Sequence, residues 1–191
     1  MMIVGRQMRL REKRTADAAN DYAWQTDPEL SALDASPVLK INYTQYQADY
    51  TGELRYSFFS RQRFAIETLD GKHIGNCAYY GINGDKGETE VGVMIGNRDY
   101  WDKGYGTDVV TTLVNHIFRH TKLNRIYLKT LDWNVKAQKC FQKCGFTLYN
   151  HVTRDGYNFV LMELYRYQWE KKQQDQPVNI PELAGGTAPD R

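Results

Sequence analysis

The chain has only three cysteines, Cys77, Cys140 and Cys144, an odd number without framework spacing. That excludes a disulfide scaffold and fits free thiols in a reducing compartment, so a cytoplasmic protein is expected. No apolar run approaches the roughly 20 residues that cross a bilayer. No charged start runs into an apolar stretch, so neither a membrane anchor nor a secretory leader is expected. An excess of one charge is missing too. Lys and Arg number 25 against 23 Asp and Glu, and a net charge of +2 is too small to expect a nucleic-acid partner. The one basic stretch, "RQMRLREKR", alternates with Met8, Leu10 and Glu12 and reads as a solvated strand face. Metal-ligand spacing is also absent. Cys140 and Cys144 lie one helical turn apart with no matching His or Cys pair, so they read as small core residues and no metal is expected. A cysteine nucleophile served by His116, His120 or His151 has no local signature, and His73 reads as a partly buried strand side chain.

What is present is a globular chain. Hydrophobic residues make up 41% of 191, enough for one substantial core. Residues 1–170 read as a single domain. Residues 171–191 form a polar tail rich in Gln, Pro and Gly, for which weak order is expected unless it docks on a partner.

Periodicity divides the domain. "MRLRE" (8–12) alternates as a strand. Residues 15–27 read as a helix capped by Thr15 and ending before Pro28; "PELSAL" reads as a short helix and 44–60 as a longer one. Period two then takes over at 63–69, 73–82 and 88–96. Turns at 70–72 and 83–87 join these runs into an antiparallel meander. Val109, Leu113 and Ile117, flanked by Val110, Val114 and Phe118, mark a helix with a broad apolar face. A strand follows at 125–131, then a helix at 134–144 stopped by Gly145, then a hairpin over 146–165 turning at Asp155–Gly156. The sum is an α+β fold: a mixed, mostly antiparallel sheet, flanking helices, and a central strand–helix–strand unit at 88–131 that should be right-handed with local parallel pairing.

The centre of that unit is "IGNRDYWDKGYGTDVV" (95–110), where a strand gives way to a helix across two glycines. Unpaired N–H groups and the helix dipole make such a turn an anion site, and glycines let phosphate oxygens reach the amides. It is not a P-loop, since Lys103 precedes Gly104, nor a dinucleotide fingerprint, since Val109 stands where a third glycine belongs. About 30 residues on comes "DWNVKAQKCFQKCGF". The two motifs together resemble the GNAT superfamily of acetyl-coenzyme A-dependent N-acetyltransferases. "YWDKGYGT" looks like the Rim-type branch, which acetylates N-termini of ribosomal proteins.

The resemblance, covering roughly residues 8–165, implies a cofactor and a site. Lys103, Gly104, Tyr105, Gly106 and Thr107 would bind the pyrophosphate of acetyl-coenzyme A. Met94 and Ile95 would offer backbone hydrogen bonds to the pantetheine arm and the thioester carbonyl. Asn134 would hydrogen-bond the arm, and Ala137, Phe141, Gly145 and Phe146 complete the second motif. Phe141 departs from the family, which often has a tyrosine there to protonate the leaving thiolate. The implied reaction is direct attack of a primary amine on the acetyl thioester. For the base that takes the amine's proton, Glu90 is the first candidate and Asp132 the second. A solvated or salt-bridged strand residue is the plain alternative for Glu90, and a helix cap for Asp132.

The acceptor is either a protein N-terminus or a small amine. Asp27, Glu29, Asp34, Asp49 and Glu53, set against Lys40 and Arg55, would make a mildly acidic wall suited to a cation. Trp24, Tyr79, Tyr80 and Trp101 are candidate acceptor-lining or core aromatics. A homodimer through the final helix and tail is an open expectation. The rival readings are a non-catalytic acyl-coenzyme A sensor or interaction module, which Phe141 keeps open, and a nucleotide-binding protein using the same turn.

Overall fold

The computed structural model describes residues 1–55 and 61–175. Eight strands form one sheet: β1 (Met2–Val4), β2 (Met8–Glu12), β3 (Arg61–Thr68), β4 (His73–Asn83), β5 (Glu88–Ile95), β6 (Arg125–Leu131), β7 (Thr147–Arg154) and β8 (Tyr157–Tyr165). Their spatial order is β1-β2-β3-β4-β5-β6-β8-β7. Every pairing is antiparallel except β5 with β6. The helices are α1 (Ala18–Gln25), α2 (Pro28–Leu33), α3 (Tyr43–Arg55), α4 (Tyr105–His120), α5 (Val135–Cys144) and α6 (Arg166–Gln174).

The expected α+β fold is therefore present, with its meander β3–β4–β5 and its unit β5–α4–β6. Gly71 (φ 95°) and Gly87 (φ 66°) turn the two hairpins in the left-handed region that side-chain-bearing residues avoid. Three details differ from the sequence reading. Thr15 caps no helix: residues 15–17 form a 3-10 turn, and Asp17 accepts from the Arg14 N–H (2.8 Å). Three-residue β1 has too little pattern to read from sequence and exists by pairing with β2. Helix α6 continues to Gln174, into the stretch whose composition suggested a weakly ordered tail. Residues 56–60, the end of the expected 44–60 helix, and 176–191, most of the tail, lie outside the described residues.

Alternation gives the sheet two unlike faces. Cys77, Tyr79 and Val91 join Leu10, Phe64 and Ile66 in the main core, against Val109, Leu113 and Ile117 of α4 and Phe141 of α5. Asn76, between those inward residues, faces the other way and donates to Asp21 of α1 (2.7 Å). On that side the apolar cluster is small: Ala18, Tyr46 and Tyr50, with Tyr22, Leu39 and Leu54 packed against it. One layer is thus dry, and the other leaves room for polar groups.

The sheet does not stay closed. β5 and β6 pair only at Glu88–Arg125, Thr89–Ile126 and Glu90–Tyr127. Beyond Glu90, β5 stays paired with β4 through Ile95. On its β6 side the strand is open where α4 and α5 begin.

Candidate active site

The site is built around the turn that ends β5. Gly104 is the N-cap of α4 and has φ 84°, so glycine is there for its conformation. Gly106 has no positive φ. The first backbone bond into α4 runs from Asp108 N–H to the Gly104 carbonyl (3.1 Å), and no side chain caps the helix. The N–H groups of Tyr105, Gly106 and Thr107 therefore have no partner among the described residues. Asp108 fixes the turn from behind by accepting from Arg6 N–H (3.0 Å) and Gln7 N–H (2.9 Å).

This turn opens on a cavity of about 450 Å³ that runs along the split in the sheet. Gly104, Gly106 and Thr107 line it at one end, Met94 and Ile95 along β5, and Asn134 and Phe141 along α5. Seven of the sequence-expected cofactor residues thus share one channel. The side chains of Lys103 and Tyr105 take no part in the lining. The Lys103 carbonyl accepts from Gln7 (3.3 Å), and Tyr105 packs edge-on against Tyr100. Basic charge comes instead from Lys136, Lys139 and Lys143 on α5. Their i, i+3, i+7 spacing was a legible signal for one helix face. Lys136 is paired with Asp102 (2.7 Å), while Lys139 and Lys143 have no carboxylate partner among the described residues. Cys144 is buried as expected, but Cys140 lines the channel, 3.6 Å from the Thr107 hydroxyl.

Two side chains set the channel's polar walls. Asn134 caps α5, its Oδ1 accepting from Ala137 N–H (3.1 Å). Trp101 donates its indole N–H to the Ile95 carbonyl (2.6 Å) and stacks under Lys136, 4.7 Å from the ring centroid. Consecutive strand residues turn their peptide groups to opposite sides. Because the Ile95 carbonyl points away from β4, Val93 shares its direction toward the opening and Met94 turns toward β4.

A second cavity, about 770 Å³, lies under α1, α2 and α3 on the polar side of the sheet. Trp24 and Tyr80 line it, whereas Tyr79 is in the core. Its carboxylates are Asp21, Asp34, Asp49 and Glu53, and its cations are Lys13, Arg61 and Arg63. Lys13 pairs with Asp21 (2.6 Å) and Arg63 with Glu53 (2.6 Å). Asp27 and Glu29, expected in an acidic wall, are instead taken by Arg98 (2.8 and 2.7 Å). The wall is mixed, and less acidic than the sequence suggested.

The cavities meet: Leu30, Asp34, Val93 and Met94 line both. Glu90 and Asp132 line neither. Glu90 accepts from the Tyr80 hydroxyl (3.0 Å) and has Lys129 Nζ at 3.6 Å. Asp132 is in the β6–α5 turn, where its carbonyl accepts from Gln138 (2.8 Å). Asp34 was visible in the sequence only as one acid among several. It follows α2, which Asp27 caps at its start. Three backbone bonds close the far end, from Asp34 to Leu30 (3.0 Å), Ala35 to Ala32 (3.2 Å) and Ser36 to Ser31 (3.0 Å). This closure puts Ala35 at φ 49°. An L-residue held there carries strain of about 1 kcal/mol, so Ala35→Gly is expected to raise stability by up to about that amount in urea denaturation.

A split mixed sheet with a bare, glycine-opened helix terminus at the fork defines the acyl-coenzyme A N-acyltransferase fold. The Acetyltransferase (GNAT) domain family matches residues 7–147, and the chain belongs to that family. The N-acetyltransferase p20 of Bacillus licheniformis is 25% identical over 140 residues, 73% of this chain and 77% of that protein. The aminoglycoside N(6')-acetyltransferase type 1 of Klebsiella pneumoniae is 28% identical over 116 residues, 56% of this chain and 58% of that one. Among solved structures, spermidine N-acetyltransferase from Vibrio cholerae with coenzyme A and spermine superposes with a TM-score of 0.75 at 17% identity, covering 86% of this chain and 98% of that one. AAC(6')-Ib with ribostamycin and coenzyme A gives 0.75 at 22%, covering 90% and 100%.

Proposed function

We propose that the protein moves an acetyl group from acetyl-coenzyme A to a primary amine by direct attack. The observation that carries this reading is the junction of the two cavities at Val93 and Met94 of β5, where the sheet has opened. One cavity has the amide fan and lysines that suit a diphosphate-bearing carrier. The other has the aromatic and mixed-charge walls that suit an amine.

The residues present fit the cofactor. The unpaired N–H groups of Tyr105, Gly106 and Thr107 hold the pyrophosphate, with Gly104 shaping the turn and Lys139 and Lys143 adding charge. Lys103 contributes backbone at the turn rather than a lining side chain. Peptide groups of Val93 and Ile95 face the arm and Met94 packs beside it; Asn134 orients it and Phe141 closes its apolar side. Bound acetyl-coenzyme A supplies an activated acyl group on a thiolate leaving group. Holding both reactants at one junction supplies much of the rate. Phe141 has no proton to give, and a thiolate of pKa near that of cysteine, about 8.5, departs without one.

The acceptor is a small amine or a protein N-terminus. The aminoglycoside and spermidine acetyltransferases among the relatives favour a small amine. "YWDKGYGT" and a structural likeness to a putative ribosomal-protein-serine acetyltransferase from Vibrio cholerae (TM-score 0.71) favour the Rim-type branch. Incubation with acetyl-coenzyme A and a panel of polyamines, amino sugars and peptides, followed by free thiol, tests the reading. Thiol release that depends on one amine class supports it. Tight coenzyme A binding with no amine-dependent thiol supports the sensor that Phe141 allows. Stronger protection against heat by ATP or NAD than by coenzyme A supports a nucleotide-binding protein.

A further inference from the structure

The geometry points to Asp34 as the general base that deprotonates the acceptor amine, a role for which Glu90 and Asp132 are the wrong carboxylates. The inference rests on the acetyltransferase reading above. It starts from a coincidence of place. An amine reaches a thioester only where the acceptor cavity opens into the cofactor channel. Four residues line both spaces, Leu30, Asp34, Val93 and Met94, and Asp34 is the one whose side chain can accept a proton.

Its surroundings suit the task. Asp34 is exposed to solvent where the two cavities meet, yet the protein around it leaves desolvation holding its carboxyl above the usual carboxylate range. The charged and titratable groups facing it are Lys129 of β6, which favours the carboxylate, and Tyr80 of β4. Tyr80 in turn donates to Glu90 of β5. Glu90 meets the Tyr80 hydroxyl and the Lys129 ammonium at Oε1 and lines neither cavity, whereas Asp34 lines both and forms no ion pair among the described residues. The strained Ala35 and the three backbone bonds at the end of α2 hold the Asp34 backbone in place, which a base needs more than raw basicity.

The step balances. The ammonium gives one proton to the Asp34 carboxylate and becomes a free amine. Its nitrogen forms a bond to the acetyl carbon while the carbon–sulfur bond breaks. The leaving sulfur carries off the electron pair and takes up the amine's second proton through solvent. Asp34 returns its own proton to water.

The test uses the full chain and the amine that the panel identifies. Asp34→Asn is expected to lower kcat at pH 7 by about 100-fold or more. The coenzyme A affinity stays within about twofold, and the melting temperature does not change. The residual rate should climb about tenfold per pH unit as the free amine becomes available, while the wild-type rate levels off near neutrality. Asp34→Glu should recover part of the loss and part of the plateau. The inference is overturned if Asp34→Asn keeps kcat within about threefold of wild type, or loses rate with an unchanged pH profile. It is equally overturned if Glu90→Gln shows the large loss and the altered profile instead. A wild-type protein that releases no thiol with any amine sinks the acetyltransferase reading and this assignment together. A turning-over wild type with an undisturbed Asp34→Asn variant sinks only the assignment.

Discussion

Arg11→Met is expected to destabilise the fold by about 3–5 kcal/mol, the cost of leaving buried charges without a partner. Arg11 of β2 forms a fork with Asp17, with both guanidinium–carboxylate contacts at 2.8 Å, and its Nε donates to Glu67 of β3. All three side chains are buried, at 6%, 3% and 5% exposure, too dry for either carboxylate to regain its hydration if the guanidinium goes. Arg9 also donates to Glu67, but its own side chain is 29% exposed and cannot replace the fork. The network ties the 3-10 turn before α1 to the sheet, and His73, 3.5 Å from Asp17 and 3.2 Å from Asn76, joins it to Lys13, Asp21 and Asn76 at the wall of the second cavity. The loss should appear as a lower urea midpoint at unchanged slope.

Acid reads the same network. Against the opposing desolvation, hydrogen bonds from Arg11 hold Asp17 below its ordinary range, helped at Asp17 by the Arg14 N–H, and hydrogen bonds from Arg11 and Arg9 do the same for Glu67. Depressed folded-state pKa values stabilise the fold above the unfolded carboxylate pKa of about 4, and that stability is lost as pH falls through the lower folded values. In the Arg11→Met variant the sign reverses at both carboxylates, so mild acid should partly restore it. The triple variant Arg11→Met, Asp17→Asn, Glu67→Gln should recover much of the loss. A single variant as stable as wild type would show that the fork contributes nothing.

Where one face of an element is buried, the sequence was a good guide. The alternation over 63–69, 73–82 and 88–96 survives because Phe64, Cys77 and Val91 must all meet α4, and a slip of one residue would expose them. The two glycine-stopped features, the 83–87 turn and the end of α5 at Gly145 (φ 105°), were legible because their conformation excludes other residues. Thr15 misled because Asp17, two residues on, competes for the same N-terminal role while serving Arg11. The site was legible in the same uneven way. Gly104, Gly106, Thr107 and Asn134 stand at helix starts, where local chemistry dictates residue type. Glu90 was placed on the correct face of β5 by alternation, but no local pattern reveals that Tyr80 and Lys129 both meet its Oε1. Asp34 acquires its importance from where α2 ends relative to β5, a long-range fact that no window of sequence contains.

Gly106→Val should lower coenzyme A affinity by about 100-fold or more, or about 2.7 kcal/mol. The two glycines of the turn are needed for different reasons, and this variant separates them. Gly104 has φ 84°, so Gly104→Ala strains the backbone and costs stability of about 1 kcal/mol whether or not a ligand is present. Gly106 is not in the left-handed region, and a Cβ placed on it would first meet Cys140 Sγ at 3.4 Å, an ordinary contact. Nothing in the folded protein alone demands glycine there. What the bare Cα preserves is access to the unpaired N–H groups of Tyr105, Gly106 and Thr107 at the positive end of a 16-residue helix. Hydrogen bonds from such donors to a charged phosphate contribute about 1.5–3 kcal/mol each, so a branched side chain that displaces even one or two of them reaches the stated loss. Gly106→Ala, with a single methyl, should lose less. Titration calorimetry with coenzyme A, run beside thermal unfolding of the empty protein, gives both quantities. A Gly106→Val variant that unfolds like wild type and binds coenzyme A as tightly would mean that the diphosphate sits elsewhere, and that the turn is only a turn.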